Sequence, residues 1–260
     1  MSEQEAYDYG ELLVVQHADH TGPSDLVPML DGRANKRPWR TLRPDRGDGF
    51  PAAADGIAGV LLLGGPMGVD DTDEHPWITE ELAFVRRAVE GEVPVLGICL
   101  GHQLLATALG GQVRTRETPE IGLLPLTRSE AAQDDELFAG YPDGSLQIVI
   151  HDDEVTSLPD GAEVMLHGSD GTTAFRAANG LAYGVQFHPE TSADLFETWA
   201  TRPESAPRFE AAGVDAAQMV ADVHARARFL RSVGVALVGR WVDGVVGAHD
   251  PMPRRPRKAS

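Results

Sequence analysis

Val93-Pro94-Val95-Leu96-Gly97-Ile98-Cys99-Leu100-Gly101-His102-Gln103 is the stretch from which the fold is read. Its first six residues carry no polar side chain, and a strand without polar alternation is one covered on both faces, as in a parallel sheet. Leu100–Leu109 then reads as a helix that ends at Gly110-Gly111. Strand passes into helix at Cys99, with glycine two places to either side. This G-x-C-x-G arrangement is the thiol counterpart of the nucleophile elbow, in which small neighbours permit a sharp turn that lifts the nucleophile out of the sheet. A thiol at a helix N-terminus also feels the positive end of the helix dipole, which favours the thiolate. The plainer alternative is a buried cysteine acting as a small hydrophobe; glycines on both flanks at a strand end weigh against it.

The same grammar recurs outward from this stretch. Leu12–Gln16 reads as a first strand, Asp25–Asp31 as a short helix, and Gly59–Leu63 as a strand running into the turn Gly64-Gly65-Pro66-Met67-Gly68. Trp77–Glu90 has a helical period at Trp77/Ile78, Leu82, Val85 and Val89. After Gly111 the pattern changes to shorter strands with polar turns, at Gly122–Thr127, Leu146–Ile150, Glu163–His167, Thr173–Arg176 and Leu181–Phe187, which suggests a partly antiparallel extension. Thr191 or Ser192 caps a helix through Trp199, Thr201–Pro207 reads as a linker, and Asp215–Val238 as an amphipathic helix. The expectation is an α/β fold with a doubly wound, mostly parallel central sheet flanked by helices, and a C-terminal helical extension. The corresponding domains are residues 10–202, an extension over 203–247 and a disordered basic tail over 248–260.

Composition narrows the function. Forty acidic against twenty-two basic residues give a formal charge of −18, and the basic run Arg254, Arg255, Arg257 and Lys258 leaves the body more acidic still. Such a body repels phosphate backbones and anionic lipid surfaces, so neither nucleic acid nor membrane is an expected partner. The single cysteine excludes an intramolecular disulfide framework and a multi-cysteine zinc site. The acidic opening Met1-Ser2-Glu3-Gln4-Glu5 does not read as a signal peptide, and the apolar runs are too short to span a bilayer. A soluble, cytoplasmic protein is the expectation.

A thiolate nucleophile needs a base and an orienting acid. Gln186-Phe187-His188-Pro189-Glu190 supplies both, since residues two apart on an extended strand share a face. Gly64-Gly65-Pro66, Gly97-Ile98-Cys99-Leu100-Gly101-His102-Gln103 and Gln186-Phe187-His188-Pro189-Glu190, in that order, resemble the class I (triad) glutamine amidotransferases, notably stand-alone proteins similar to the glutaminase domain of GMP synthase. The resemblance runs from about Leu12 to Ala200 and implies that family's flavodoxin-like fold. It makes Cys99 the nucleophile, His188 the base and then acid, and Glu190 the third member of the triad. It places the oxyanion hole at the backbone N–H groups of Gly65 and Leu100, and Gln103 against the glutamine substrate. His151-Asp152-Asp153 resembles the family's H-x-D segment near the glutamine pocket, which makes His151 and Asp153 substrate-binding candidates; a solvated acidic loop is the alternative. Gly68 departs from the family, where serine is frequent. No metal or organic cofactor is implied. His17-Ala18-Asp19-His20 contains ligand-type residues, but its place after the first strand suits a substrate-side role better.

The implied reaction is attack on a γ-glutamyl amide, release of ammonia, and hydrolysis of a γ-glutamyl thioester to glutamate. No SGG-x-D-S-type ATP-pyrophosphatase loop occurs. Either the ammonia passes to a separate synthetase subunit, or the protein is a self-contained hydrolase of glutamine or γ-glutamyl peptides. Related folds use a similar cysteine turn for proteolysis or deglycation but lack the H-P-E string. A non-catalytic regulatory module with the same fold is the remaining alternative, and the filled triad positions argue against it.

Overall fold

Leu12 and Val14 of the first strand, β1 (Glu11–Val15), pack into one apolar layer, while Leu13 and Val15 pack into another. In a computed structural model of the chain, residues 10–33, 37–54, 56–168 and 171–249 are described. A 3₁₀ turn at Ser24–Leu26 leads into α1 (Val27–Arg33), followed by β2 (Trp39–Leu42) and β3 (Ile57–Leu62). Next come α2 (Trp77–Glu90), β4 (Val95–Ile98) and α3 (Leu100–Ala108). β2, β1, β3 and β4 lie side by side in parallel, as the two-faced apolar pattern of β1, β3 and β4 requires.

Leu61, Leu63, Leu96 and Ile98 join Leu12 and Val14 on one side, covered by Met29 and Leu30 of the α1 segment. Val60, Leu62 and Val95 join Leu13 and Val15 on the other, covered by Phe84, Val85 and Ala88 of α2 and Leu105 of α3. β1, β3 and β4 are thus each buried on both faces, and side-chain alternation in a pleated strand does the sorting.

The remaining strands are β5 (Gln112–Arg128), β6 (Ser145–Ser157), β7 (Glu163–Gly168), β8 (Gly171–Ala177) and β9 (Ala182–Val185). β9 completes the parallel part beside β4, and β8, β7, β5 and β6 extend the sheet antiparallel from it. Four segments differ from the sequence reading. β2 was not expected, because an edge strand carrying Arg40 and Thr41 shows no apolar run. β5 and β6 are far longer than Gly122–Thr127 and Leu146–Ile150, because their outer halves form a solvent-facing ribbon whose polar residues, such as Arg114 and Glu117, conceal it. The expected linker Thr201–Pro207 is helical: a 3₁₀ turn at Pro203–Ser205 passes into α5 (Ala206–Ala211), with proline in the first turn of each. Proline suits that place because its missing N–H would have had no helical partner.

Among the described residues, two helices are closed by side-chain caps. Ser192 accepts from the Leu195 amide at the start of α4 (Ala193–Ala200), and Asp215 accepts from Gln218 at the start of α6 (Ala216–Arg240). α6 continues into a π-helical turn at Trp241–Val246. Leu237, Val238, Trp241, Val242, Val245 and Val246 join the core layer of Leu12 and Leu61, while Met219, Val223 and Leu230 pack with Phe196 and Trp199 of α4. Gly247–His249 is helical, and the rest of the expected tail, residues 250–260, lies outside the described residues. Among the described residues no helix is long and apolar enough to cross a membrane.

α6 also reaches the turn that carries His188 and Glu190. A methyl group at Gly234 would fall on the backbone carbonyl of Pro189, so only glycine allows this approach. Gly234→Ala is therefore expected to destabilise the chain by about 1–3 kcal/mol, the usual cost of overpacking a tight contact. A lowered urea midpoint would register it; an unchanged midpoint would mean that α6 does not bear on that turn.

Candidate active site

β1, β3, β4 and β9 are neighbours in the parallel part of the sheet, so their carboxyl ends lie along one edge. The chain leaves these ends at His17, Gly64, Cys99 and the His188 turn respectively. This edge of an open α/β sheet is where ligand clefts form.

Cys99 sits between β4 and α3 at φ 52° and ψ −106°, a conformation that disfavours any residue with a Cβ. Its neighbours hold it there. The Cys99 amide donates to the Val185 carbonyl of β9 (2.9 Å), and the Gln103 amide donates to the Cys99 carbonyl (3.1 Å). A side chain at Gly97 would collide with the Gly101 carbonyl, and one at Gly101 with the Leu62 carbonyl of β3. Both flanking glycines are therefore needed for the helix to start this close to the sheet.

β9 ends at Val185, so His188 and Glu190 lie on a turn and not on an extended strand as the sequence suggested. The pairing survives this change. His188 Nδ1 and Glu190 Oε1 are 2.8 Å apart, and both side chains are buried. The His188 amide donates to the Ile148 carbonyl of β6 (2.9 Å), and the Trp199 ring stands edge-on to the imidazole at 5.0 Å. His188 Nε2 carries no hydrogen bond of ordinary geometry, which leaves it as the ring atom available to the thiol. Burial pulls the His188 pKa down, but the charges of Glu190 and Cys99 and their hydrogen bonding outweigh it and hold it at about 10. Gly64 lies against both groups: a Cβ there would be 3.0 Å from His188 Cε1 and 3.6 Å from Cys99 Cβ.

Gly65, Cys99, Gln103, His151, Asp153 and His188 border one cleft of about 580 Å³. Glu190 lies behind His188, and Leu100 packs its side chain beneath, among Val69, Ile78 and Leu104. A Cβ on Gly65 would meet Leu100 Cδ2 at 2.6 Å, so the Gly64-Gly65 turn packs on the Leu100 side chain. Gln103 Nε2 donates to the Asp153 carbonyl (3.0 Å) and lies 3.3 Å from Gln186 Oε1. His151 is held by Glu120 Oε2 and by the Asp153 carbonyl, both at 2.8 Å, so its ring nitrogens are already occupied. The Asp153 carboxylate faces Gly68, whose absent Cβ would be 2.9 Å from Oδ2. Glycine at position 68 thus leaves room for this carboxylate. His102, despite its place beside the elbow, packs against Phe175, and burial pushes its pKa down to about 3, so it stays neutral.

The family model for glutamine amidotransferase class-I matches residues 40–200, more than half of the chain. The chain belongs to this family. Curated relatives include the glutamine-hydrolyzing GMP synthase subunit of Methanococcus vannielii, 36% identical over 137 residues, which are 52% of this chain and 66% of that protein. The corresponding subunit of Methanococcus maripaludis is 37% identical over 142 residues, 54% of this chain and 68% of its own length. The match thus spans about two thirds of these relatives, and 26% of the GMP synthase of Porphyromonas gingivalis. Among solved structures, a glutamine amidotransferase from Methylobacillus flagellatus superposes with a TM-score of 0.79 at 27% identity, covering 97% of this chain and 98% of that one. One from Thermotoga maritima has the same fold, with a TM-score of 0.78 at 24% identity, covering 91% and 99%.

Two parts of the site were missed in the sequence. Trp199, Arg202, Glu204, Ser205 and Arg208 form a rim of the cleft, from a segment read as a helix end and a linker. His20 borders the cleft as a substrate-side loop residue should, but His17 turns away into the protein, where it meets Glu81.

Because Glu190 raises the His188 pKa, protonation of His188 favours the folded state. That contribution is complete below about pH 6.5, the ordinary histidine value, and is lost as pH rises towards 10. The stability difference between wild type and Glu190→Gln is therefore expected to shrink from pH 6.5 to pH 10. Urea unfolding across this range measures it, and a constant difference would contradict the assigned pairing.

Proposed function

We propose that the chain is a glutaminase-type amidohydrolase in which Cys99 attacks the γ-carboxamide of glutamine. The observation that carries this reading is the convergence of the Cys99 elbow, the His188–Glu190 pair and the Gly64-Gly65 turn on one cleft. In the first half-reaction the thiolate adds to the carbonyl carbon, and the amides of Gly65 and Leu100 receive the resulting oxyanion. Donors aimed at charge present only in the tetrahedral species lower the barrier by about 3–4 kcal/mol each. His188 gives its Nε2 proton to the departing ammonia, leaving a γ-glutamyl thioester on Cys99. In the second half-reaction His188 takes a proton from water, which attacks the thioester and releases glutamate. Glu190 holds the imidazole by Nδ1 throughout, as the acid does in other triads. Gln103 and Asp153 serve the glutamine head, with His151 holding the strand that presents Asp153.

The relatives named for one subunit of GMP synthase support an ammonia-accepting partner, a separate synthetase subunit. A second reading, a hydrolase of γ-glutamyl conjugates, draws on the cleft itself. At about 580 Å³ it has the size of a pocket for a ligand larger than an amino acid. The rim of Arg202, Glu204 and Arg208 is where the substituent would lie.

Ammonia and glutamate release from glutamine, and then from γ-glutamyl peptides, tests both readings. Cys99→Ala and His188→Ala are each expected to lower turnover at least about 10³-fold, as the loss of a triad member does. Turnover that survives either substitution would refute the triad. Full activity on a γ-glutamyl peptide without a partner would favour the second reading.

A further inference from the structure

His17 and Glu81 form a buried pair beneath the Gly64-Gly65 turn, with no accessible side-chain surface on either residue. His17 Nε2 lies 3.0 Å from Glu81 Oε1 and 3.2 Å from Oε2, and Nδ1 lies 3.1 Å from the Gly64 carbonyl oxygen. A carbonyl and a carboxylate only accept, so both ring nitrogens donate and the ring is an imidazolium. Burial works against that charge, but Glu81, with help from the Gly64 carbonyl and Asp45, outweighs it and raises the His17 pKa. Trp77 of α2 stacks on the ring at 5.6 Å and 18°.

We infer that His17, held by Glu81, is a positioning residue that fixes the direction of the Gly65 N–H. The inference rests on the reading of Gly65 as an oxyanion donor. The Gly64 C=O and the Gly65 N–H belong to one planar trans peptide unit and point in opposite directions. Holding the oxygen from beneath the turn therefore aims the hydrogen at the other side, towards the cleft that Gly65 borders. A Gly-Gly peptide has no Cβ on either side to resist rotation, so the turn needs an external hold. His17 also packs against the second glycine, because a Cβ on Gly65 would meet His17 Cβ at 3.1 Å. A cationic donor on the oxygen further polarises the peptide and strengthens its N–H as a donor.

The test compares two double variants, so that neither leaves a lone carboxylate buried. In His17→Asn/Glu81→Gln the asparagine amide can stand where Nδ1 stood and donate to Gly64. In His17→Leu/Glu81→Gln no donor remains. Glutamine hydrolysis is measured for both, with the rate of Cys99 alkylation by iodoacetamide as a readout that needs no oxyanion hole, and the melting temperature as a check on folding. The leucine variant is expected to have a kcat about 10²-fold below the asparagine variant, the effect of losing one oxyanion donor. KM, alkylation rate and melting temperature are expected to agree between the two. Equal kcat values would overturn the positioning role, and so would a fall in kcat matched by slower alkylation or a lower melting temperature, which marks general disruption. Absence of Cys99-dependent turnover in the wild-type chain would instead overturn the glutaminase reading, and this inference with it.

Discussion

The site depends on the backbone at Cys99. A cysteine at φ 52° stores about 1–3 kcal/mol of strain, and such a residue persists only where its surroundings over-determine it. Here they do. β4 lies between β3 and β9, both of which are buried on both faces, and the chain leaving β4 has no room for a wider turn because Gly97, Gly101 and Leu62 are in backbone contact. The apolar layers on the two faces of the sheet hold the strands, and the strands hold the turn.

That placement has consequences on either side. The end of β3 brings the Gly64-Gly65 turn to one side of Cys99, and the end of β9 brings His188 to the other. Each neighbour is then supported from behind by an element remote in sequence. α6 abuts Pro189 through Gly234, and α2 supplies Glu81 to His17 under the Gly64 carbonyl. Parallel strand ends make the groups adjacent, and the second layer of contacts limits how far each can turn.

Much of this was legible in the sequence, for reasons that are local. The strands β1, β3 and β4 announce themselves because two-sided burial removes polar residues, and the elbow because Gly97 and Gly101 flank Cys99 within five residues. The candidate nucleophile, its histidine and its acid could be named on motif alone. What escaped were features that exist only through tertiary contact. β2 and the outer halves of β5 and β6 are polar because they face solvent. The rim from Trp199 to Arg208 has no pattern that sets it apart from a linker. Glu81 did leave a trace: it falls three residues after Ile78 and four before Val85, on the buried face of α2, and a carboxylate in an apolar stripe demands a partner. The partner is 64 positions away, beyond the reach of any local pattern.

The central claim is covalent: the thiol of Cys99 carries the γ-glutamyl group. The direct measurement is peptide mass analysis of the chain mixed with glutamine, quenched in acid within the first turnovers and digested. The account predicts one γ-glutamyl group on the peptide containing Cys99, discharged by hydroxylamine and absent when Cys99 is replaced by alanine. Release of ammonia from glutamine with that peptide unmodified at every quench time, or with the acyl group on another residue, would contradict it.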